Sequence, residues 1–220
     1  MRIVVIGGHG RTGQLVVKQL IAKGHAVVAT IRNPKHMVDM VKLGAETVLI
    51  DLDKSPLSDF AVALKGADAV VFAAGSAAGE SSTLDRKGMV RSIRAATNAK
   101  VRRFLTIASI GASTGMRLEG AWATDEMRDY YKQKRAANKA LRESELDWII
   151  LEPGELTDGR ATGKVTLTTE AIDEGKVSRA DVAAVVAELL DQPRAVGKAF
   201  QLVGGKVAIA DAVKKVTGRK

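Results

Sequence analysis

The stretch Ile3-Val4-Val5-Ile6-Gly7-Gly8-His9-Gly10-Arg11-Thr12-Gly13 decides how this chain folds. Its four apolar residues behind Arg2 read as a parallel strand buried on both faces, since such a strand needs no polar alternation. Gly7, Gly10 and Gly13 follow at once in a G-x-x-G-x-x-G spacing. The first suits a tight turn, the middle one lets backbone approach a pyrophosphate, and the last permits close helix–strand packing. Gly8 adds a glycine that nothing in this spacing demands. From Arg11 the pattern turns helical, with Leu15, Val16, Leu20 and Ile21 on one side and an end at Lys23-Gly24. A second strand, Ala26 to Ile31, completes a βαβ unit. The helix N-terminus then points at the glycine loop, where its N–H groups and dipole favour a phosphate. Set between strand and helix, the triplet reads as a dinucleotide-binding loop with Gly7, Gly10, Arg11, Thr12 and Gly13 as candidate contacts.

Outside this stretch, composition narrows the function classes. The chain has 220 residues, of which 46% are hydrophobic, enough for a good core. With no Pro/Gly/Ser-rich linker, the expectation is one domain over 1–220, in which about 110–220 supplies the substrate-side loops and helices. There is no run of about 18 apolar residues and no signal segment, so a soluble cytoplasmic protein without a membrane partner is expected. The absence of cysteine excludes disulfides and thiolate chemistry, and His9, His25 and His36 are too scattered to suggest a metal. A net charge of +9 raises the question of nucleic acid. Lys and Arg are spread along the chain, aromatic residues are few, and no RRM, KH or zinc-finger pattern is present, so a solvated basic surface is the simpler reading. The same field favours an anionic cofactor or substrate.

Further along, Arg32-Asn33-Pro34-Lys35 opens a helix to about Leu43, with Pro34 in its first turn. Thr47 to Ile50 is a third strand. At its end Asp51-Leu52 falls on the carboxyl edge of the sheet, where Asp51 reads equally as an adenine partner or a turn carboxylate. A short helix spans Leu57 to Lys65, and Ala69 to Ala74 is a fourth strand running into Gly75. Small residues at Ala73, Ala74 and Gly75 let a flat ring or ribose approach the backbone. A helix from Leu84 to Ala99, interrupted by Gly88, is expected to bury Val90, Ile93 and Ala96-Thr97. The fifth strand, Arg103 to Ala108, ends at Ser109-Ile110-Gly111. Ala112 to Ala123, which contains Trp122, reads as a lid or pocket wall. A charged helix follows from Asp125 to about Ser144, then a sixth strand, Trp148 to Leu151, ending in Glu152-Pro153-Gly154. An extended piece at Lys164 to Thr168, a core helix at Arg179 to Leu190 behind an N-cap at Ser178, a strand at Phe200 to Val203 and a helix at Ala208 to Val216 close the chain. This alternation predicts one doubly wound α/β domain with a parallel sheet of the Rossmann type.

Tyr130 and Lys134 stand four apart on the charged helix, so they project from one face and meet at a common ligand. The helix lies between the strand that ends at Ser109 and the one that ends at Pro153-Gly154. With the glycine loop, Ile31-Arg32-Asn33-Pro34, Phe72-Ala73-Ala74-Gly75, Ala108-Ser109-Ile110-Gly111-Ala112 and Ser178-Arg179-Ala180-Asp181-Val182-Ala183, the chain resembles the atypical branch of the short-chain dehydrogenase/reductase superfamily. Within that branch it is similar to small NAD(P)H-binding proteins of the NmrA-like and flavin or biliverdin reductase-like kind. The resemblance covers nearly the whole chain. It implies that Tyr130 donates a proton to a substrate carbonyl, that Lys134 bonds the nicotinamide ribose and makes the tyrosine a stronger acid, and that Ser109 orients the carbonyl. Glu152 departs from the arginine that relatives often carry before Pro-Gly, so no anion-binding role is transferred to it. The branch implies a monomer or small homo-oligomer.

The cofactor itself is readable at the end of the second strand. An NAD site usually offers Asp or Glu there to the ribose 2′-hydroxyl, whereas this chain presents Arg32 and Asn33 with Lys35 nearby. Cations suit a 2′-phosphate, which predicts NADPH over NADH. The expected protein is therefore an NADPH-dependent reductase of a small carbonyl or other electrophile, and the competing reading is a non-catalytic NADP(H) sensor or scaffold.

Overall fold

The computed structural model describes residues 1–75, 83–115 and 124–218. Its frame is a sheet in which β1 (Arg2–Ile6) pairs in parallel with β2 (Ala26–Ile31) on one side and β4 (Ala69–Phe72) on the other. Beyond β2 lies β3 (Glu46–Leu49), and beyond β4 come β5 (Arg103–Ile107), β6 (Asp147–Pro153) and β10 (Lys198–Gly204), all parallel. The far edge departs from the wholly parallel expectation, because β8 (Lys164–Thr168) runs antiparallel to β10, and β11 (Val207–Ala208) runs antiparallel to β8. β10 and β11 flank β8 and run in the same direction, the chain crossing the end of β8 between Gly204 and Val207. A separate parallel pair, β7 (Glu155–Thr157) with β9 (Lys176–Ser178), was not foreseen; its strands are three residues long and carry no pattern to read.

Two cores sandwich the sheet, as the alternation of β1 shows. Ile3 and Val5 face a cluster formed with α1 (Arg11–Ala22), α6 (Arg179–Leu190) and α7 (Ile209–Thr217). Val4 and Ile6 face the other cluster, packed by α3 (Leu57–Leu64), α4 (Thr83–Asn98) and α5 (Asp125–Arg142). Ile3, Val4, Val5 and Ile6 are all buried, as a doubly covered parallel strand requires. The domain is thus a single doubly wound α/β unit.

Several local expectations are corrected. The segment after β2 is a 3-10 turn, Pro34–His36, followed by the short α2 (Met37–Lys42), because Asn33 caps the turn by accepting from the Lys35 N–H. Helix α4 runs through Gly88 without interruption: a Cβ there would lie 3.0 Å from Leu52 Cδ1, so the glycine admits a close contact rather than breaking the helix. Its buried stripe is Asp85, Met89, Ser92, Ile93 and Ala96, while Val90 and Thr97 are exposed. Gly8 also has a reason: a Cβ would lie 2.7 Å from Ala29 Cβ on β2. Trp122 and most of the expected 112–123 loop lie outside the described residues.

Candidate functional site

The carboxyl ends of the parallel strands open into one cleft of about 1420 Å³. Pockets for drug-sized ligands run to about 1,000 Å³, so this one has room for a larger group. Gly7, with φ +82°, makes the turn out of β1, where an added Cβ would lie 2.8 Å from Ala74 backbone. Gly10 caps α1 with no side-chain bond, and the first turn of that helix holds no acidic residue. Gly10, Arg11 and Thr12 line the cleft, so the positive end of α1 faces it without an internal anion. Gly13 instead lies buried beneath: its Cβ would meet the Gly7 carbonyl oxygen at 2.2 Å, so it packs the loop and does not line the cleft.

The other strands deliver the remaining predicted residues. Arg32 comes from the end of β2, Asp51 and Leu52 from beyond β3, Ala73, Ala74 and Gly75 from beyond β4, and Pro153 and Gly154 from the end of β6. Asn33 and Lys35 do not line the cleft; Asn33 is occupied in capping. Asp51 is a turn carboxylate that also reaches the cleft, its Oδ1 accepting from the N–H groups of Asp53 at 2.9 Å and Lys54 at 3.3 Å.

At the centre stand Ser109, Tyr130 and Lys134. The Ser109 hydroxyl and the Tyr130 hydroxyl share a hydrogen bond of 2.5 Å. Lys134 Nζ lies 5.5 Å from the centre of the Tyr130 ring and 3.0 Å from Asp85 Oδ1 on α4. Burial alone disfavours the Lys134 ammonium, but Tyr130 and Asp85 outweigh it, and the lysine binds its proton more tightly than an ordinary one. Tyr131, packed edge to face against Tyr130, is pushed up by burial, and the Tyr130 and Glu152 charges add to the shift.

Behind this centre lies a buried polar group that the spacing of motifs did not place. The Glu152 carboxylate accepts from Asn138 Nδ2 at 2.8 Å and from Gln201 Nε2. Gln201 Oε1 in turn accepts from the Gly111 N–H at 3.2 Å, so the network ties β6, β10 and α5 to the loop that carries Ser109. Burial pushes the Glu152 carboxyl up. It takes no part in lining the cleft and is a structural anchor.

Sequence reasoning missed three further features. Asp85 carried one signal, an acid at helical spacing with Met89 and Ile93 on an apolar face. Arg11 pairs with Asp158 at 3.2 Å, and Arg179 pairs with the same carboxylate at 2.7 Å, a contact across the mouth between residues 147 apart that no local pattern reveals. His9 and His36 stack with ring centres 3.5 Å apart at the Arg32 end. Among the described residues no group of His, Cys, Asp or Glu could hold a metal, and no helix is long and apolar enough to cross a membrane.

A doubly wound sheet whose strand ends gather a glycine loop, small-residue floors and a Ser/Tyr/Lys centre defines an NAD(P)-binding Rossmann protein of the short-chain dehydrogenase/reductase kind. The chain belongs to the NAD(P)H-binding family, whose model matches residues 7–193. It is 34% identical over 221 residues to the uncharacterized sugar epimerase YhfK of Bacillus subtilis, covering 98% of this chain and all of that one. A solved structure from Bacillus halodurans, named for NAD-dependent epimerases/dehydratases, matches with a TM-score of 0.88 at 33% identity, over 98% of this chain and 100% of that one. The anaerobillin reductase ChuY of Escherichia coli O157:H7 matches with a TM-score of 0.82 at 26% identity, over 93% and 97%. The resemblance read from the motifs is borne out at the level of family and fold.

Proposed function

We propose that the protein is an NADPH-dependent reductase of a small carbonyl or other electrophilic compound. The observation that carries this reading is the 2.5 Å bond between Ser109 and Tyr130 beside Lys134, inside the cleft that the glycine loop borders. The residues fit a dinucleotide: a Cβ at Gly10 would touch only the Gly7 oxygen at 3.3 Å and otherwise project into ligand space, and Ala73, Ala74 and Gly75 leave a flat floor. When bound, the nicotinamide supplies hydride.

The protein's own part is placement and proton transfer. Ser109 holds the substrate oxygen and the Tyr130 hydroxyl in register, and Tyr130 gives its proton to the oxygen as carbon accepts hydride. Lys134, protonated beside Gly75, bonds the ribose next to the nicotinamide. Arg32 at the end of β2, where an NAD site usually offers Asp or Glu to the ribose, favours a 2′-phosphate. Residues beyond about 110 supply the substrate side, with Met127, Tyr131 and Leu156 making an apolar wall. Reductase activity in ChuY and the epimerase name of YhfK both fit a site that moves hydride.

A screen of NADPH oxidation over aldehydes, ketones and quinones tests the proposal. A substrate should be found, and Tyr130→Phe should turn it over about 10²–10⁴-fold more slowly with NADPH affinity unchanged. Tight NADPH binding with no turnover of any compound would assign a sensor instead.

A further inference from the structure

Buried beside the proposed proton donor is an ion pair that this mechanism does not require. Lys134 and Asp85 side chains are only 9% and 1% exposed, at 3.0 Å separation. Both abut the floor of the cleft, since a Cβ on Gly75 would lie 3.5 Å from Asp85 Oδ1 and 3.7 Å from Lys134 Nζ. An isolated ammonium 5.5 Å from the Tyr130 ring would drive the phenol toward phenolate, by about one to three pH units. A phenolate is no proton donor. A carboxylate in contact with that ammonium opposes its field, and in a buried setting both charges are screened far less than at the surface.

We propose that Asp85 is a positioning residue that holds Lys134 charged and aimed at the ribose side of the cleft, and whose carboxylate limits the pull of that ammonium on the Tyr130 phenol. The assignment rests on Tyr130 being the donor. Lys134 and Tyr131 stand on the same helix, Asp85 comes from α4, and Ser109 from the end of β5 is uncharged. Glu152 of β6 and Arg135 of α5 act on Tyr131.

The chain contains only two tyrosines, which makes the test spectroscopic and independent of any substrate. In full-length Tyr131→Phe protein, phenolate absorbance near ~295 nm follows Tyr130 alone. Adding Asp85→Asn should shift that titration to lower pH by about one unit or more, and Asp85→Glu should return it toward the parent. Removing both charges, Asp85→Asn with Lys134→Met, should leave it within about half a unit of the parent, because the two fields oppose each other. That double variant also guards against misfolding, since a buried ion pair replaced by neutral groups is often tolerated. An unchanged or upward shift in Asp85→Asn overturns the proposal, as does a double variant displaced as far as the single one. Neither result touches the reductase reading, which the NADPH oxidation screen decides separately.

Discussion

Two glycines three residues apart should respond to the same substitution in opposite ways. At Gly13 an alanine Cβ would sit 2.2 Å from the Gly7 carbonyl oxygen and 3.0 Å from that of Gly8, both backbone atoms that no rotamer change can move. Overpacking of this kind costs about 3 kcal/mol, and for a chain of this size each kcal/mol lowers Tm by about 2–4 °C. Gly13→Ala should therefore melt about 6–12 °C below the parent, by calorimetry or circular dichroism. Gly10 has φ −60° and ψ 156°, an ordinary extended conformation, and its Cβ would meet only one atom, at 3.3 Å. The loss of a favoured N-cap and the lower entropy of the unfolded chain nearly cancel, so Gly10→Ala should stay within about 1 kcal/mol of the parent. On the proposed placement of the dinucleotide, its methyl group enters the path of the pyrophosphate instead. A clash of about 1–3 kcal/mol there weakens NADPH binding roughly 5- to 150-fold, read by quenching of protein fluorescence or by titration calorimetry. Parent-like affinity in folded Gly10→Ala would refute the placement of the dinucleotide, and a parent-like Tm in Gly13→Ala would refute the packing account of the loop.

Arg32→Asp should reverse or abolish a preference for NADPH over NADH of about ten- to a hundredfold, since a charge-assisted bond to a 2′-phosphate contributes about 1.5–3 kcal/mol; equal affinities for the two nucleotides in the parent would remove the basis for it. Asp181 at the start of α6 accepts from the Thr162 and Gly163 N–H groups and from two hydroxyls. Burial opposes its charge, but these bonds prevail and hold the carboxyl below its ordinary value of 3.8. The stability that this adds is present above the unfolded value and is lost as pH falls through the lower folded one, so Asp181→Asn should destabilise at pH 7 and flatten the acid limb of a stability profile below about pH 4. Glu152 has the opposite sign: its raised folded value makes the carboxylate increasingly costly as pH rises through that value. Glu152→Leu nevertheless leaves the Asn138 and Gln201 amide donors without their acceptor, at about 1–3 kcal/mol each, and should lower Tm at every pH.

How far the fold could be read depended on whether the deciding contacts were local. The glycine loop, the buried run of β1 and the Tyr130/Lys134 spacing are set by neighbours a few residues away, and each reads directly from residue type and period. Gly88 misled because a glycine inside a helix has two meanings, a break or a close approach. Only Leu52, thirty-six positions earlier, decides between them. The register of α4 slipped for a similar reason: Val90 looks like core by itself, but the face that packs is the one bearing Met89, Ile93 and the charged Asp85.

From the sequence alone came the family, the doubly wound architecture, the cleft at the carboxyl edge and nearly half of its lining, because strand and helix periods together with glycine placement constrain a βαβ fold strongly. Tertiary structure alone decided which charged and polar groups meet. Asp85 and Lys134 lie 49 positions apart, Arg11 and Asp158 147, and Glu152 and Gln201 49, and each pair is made by segments that arrive from different parts of the chain. Electrostatic interaction depends on separation in space and on the exclusion of water, neither of which is encoded in local pattern.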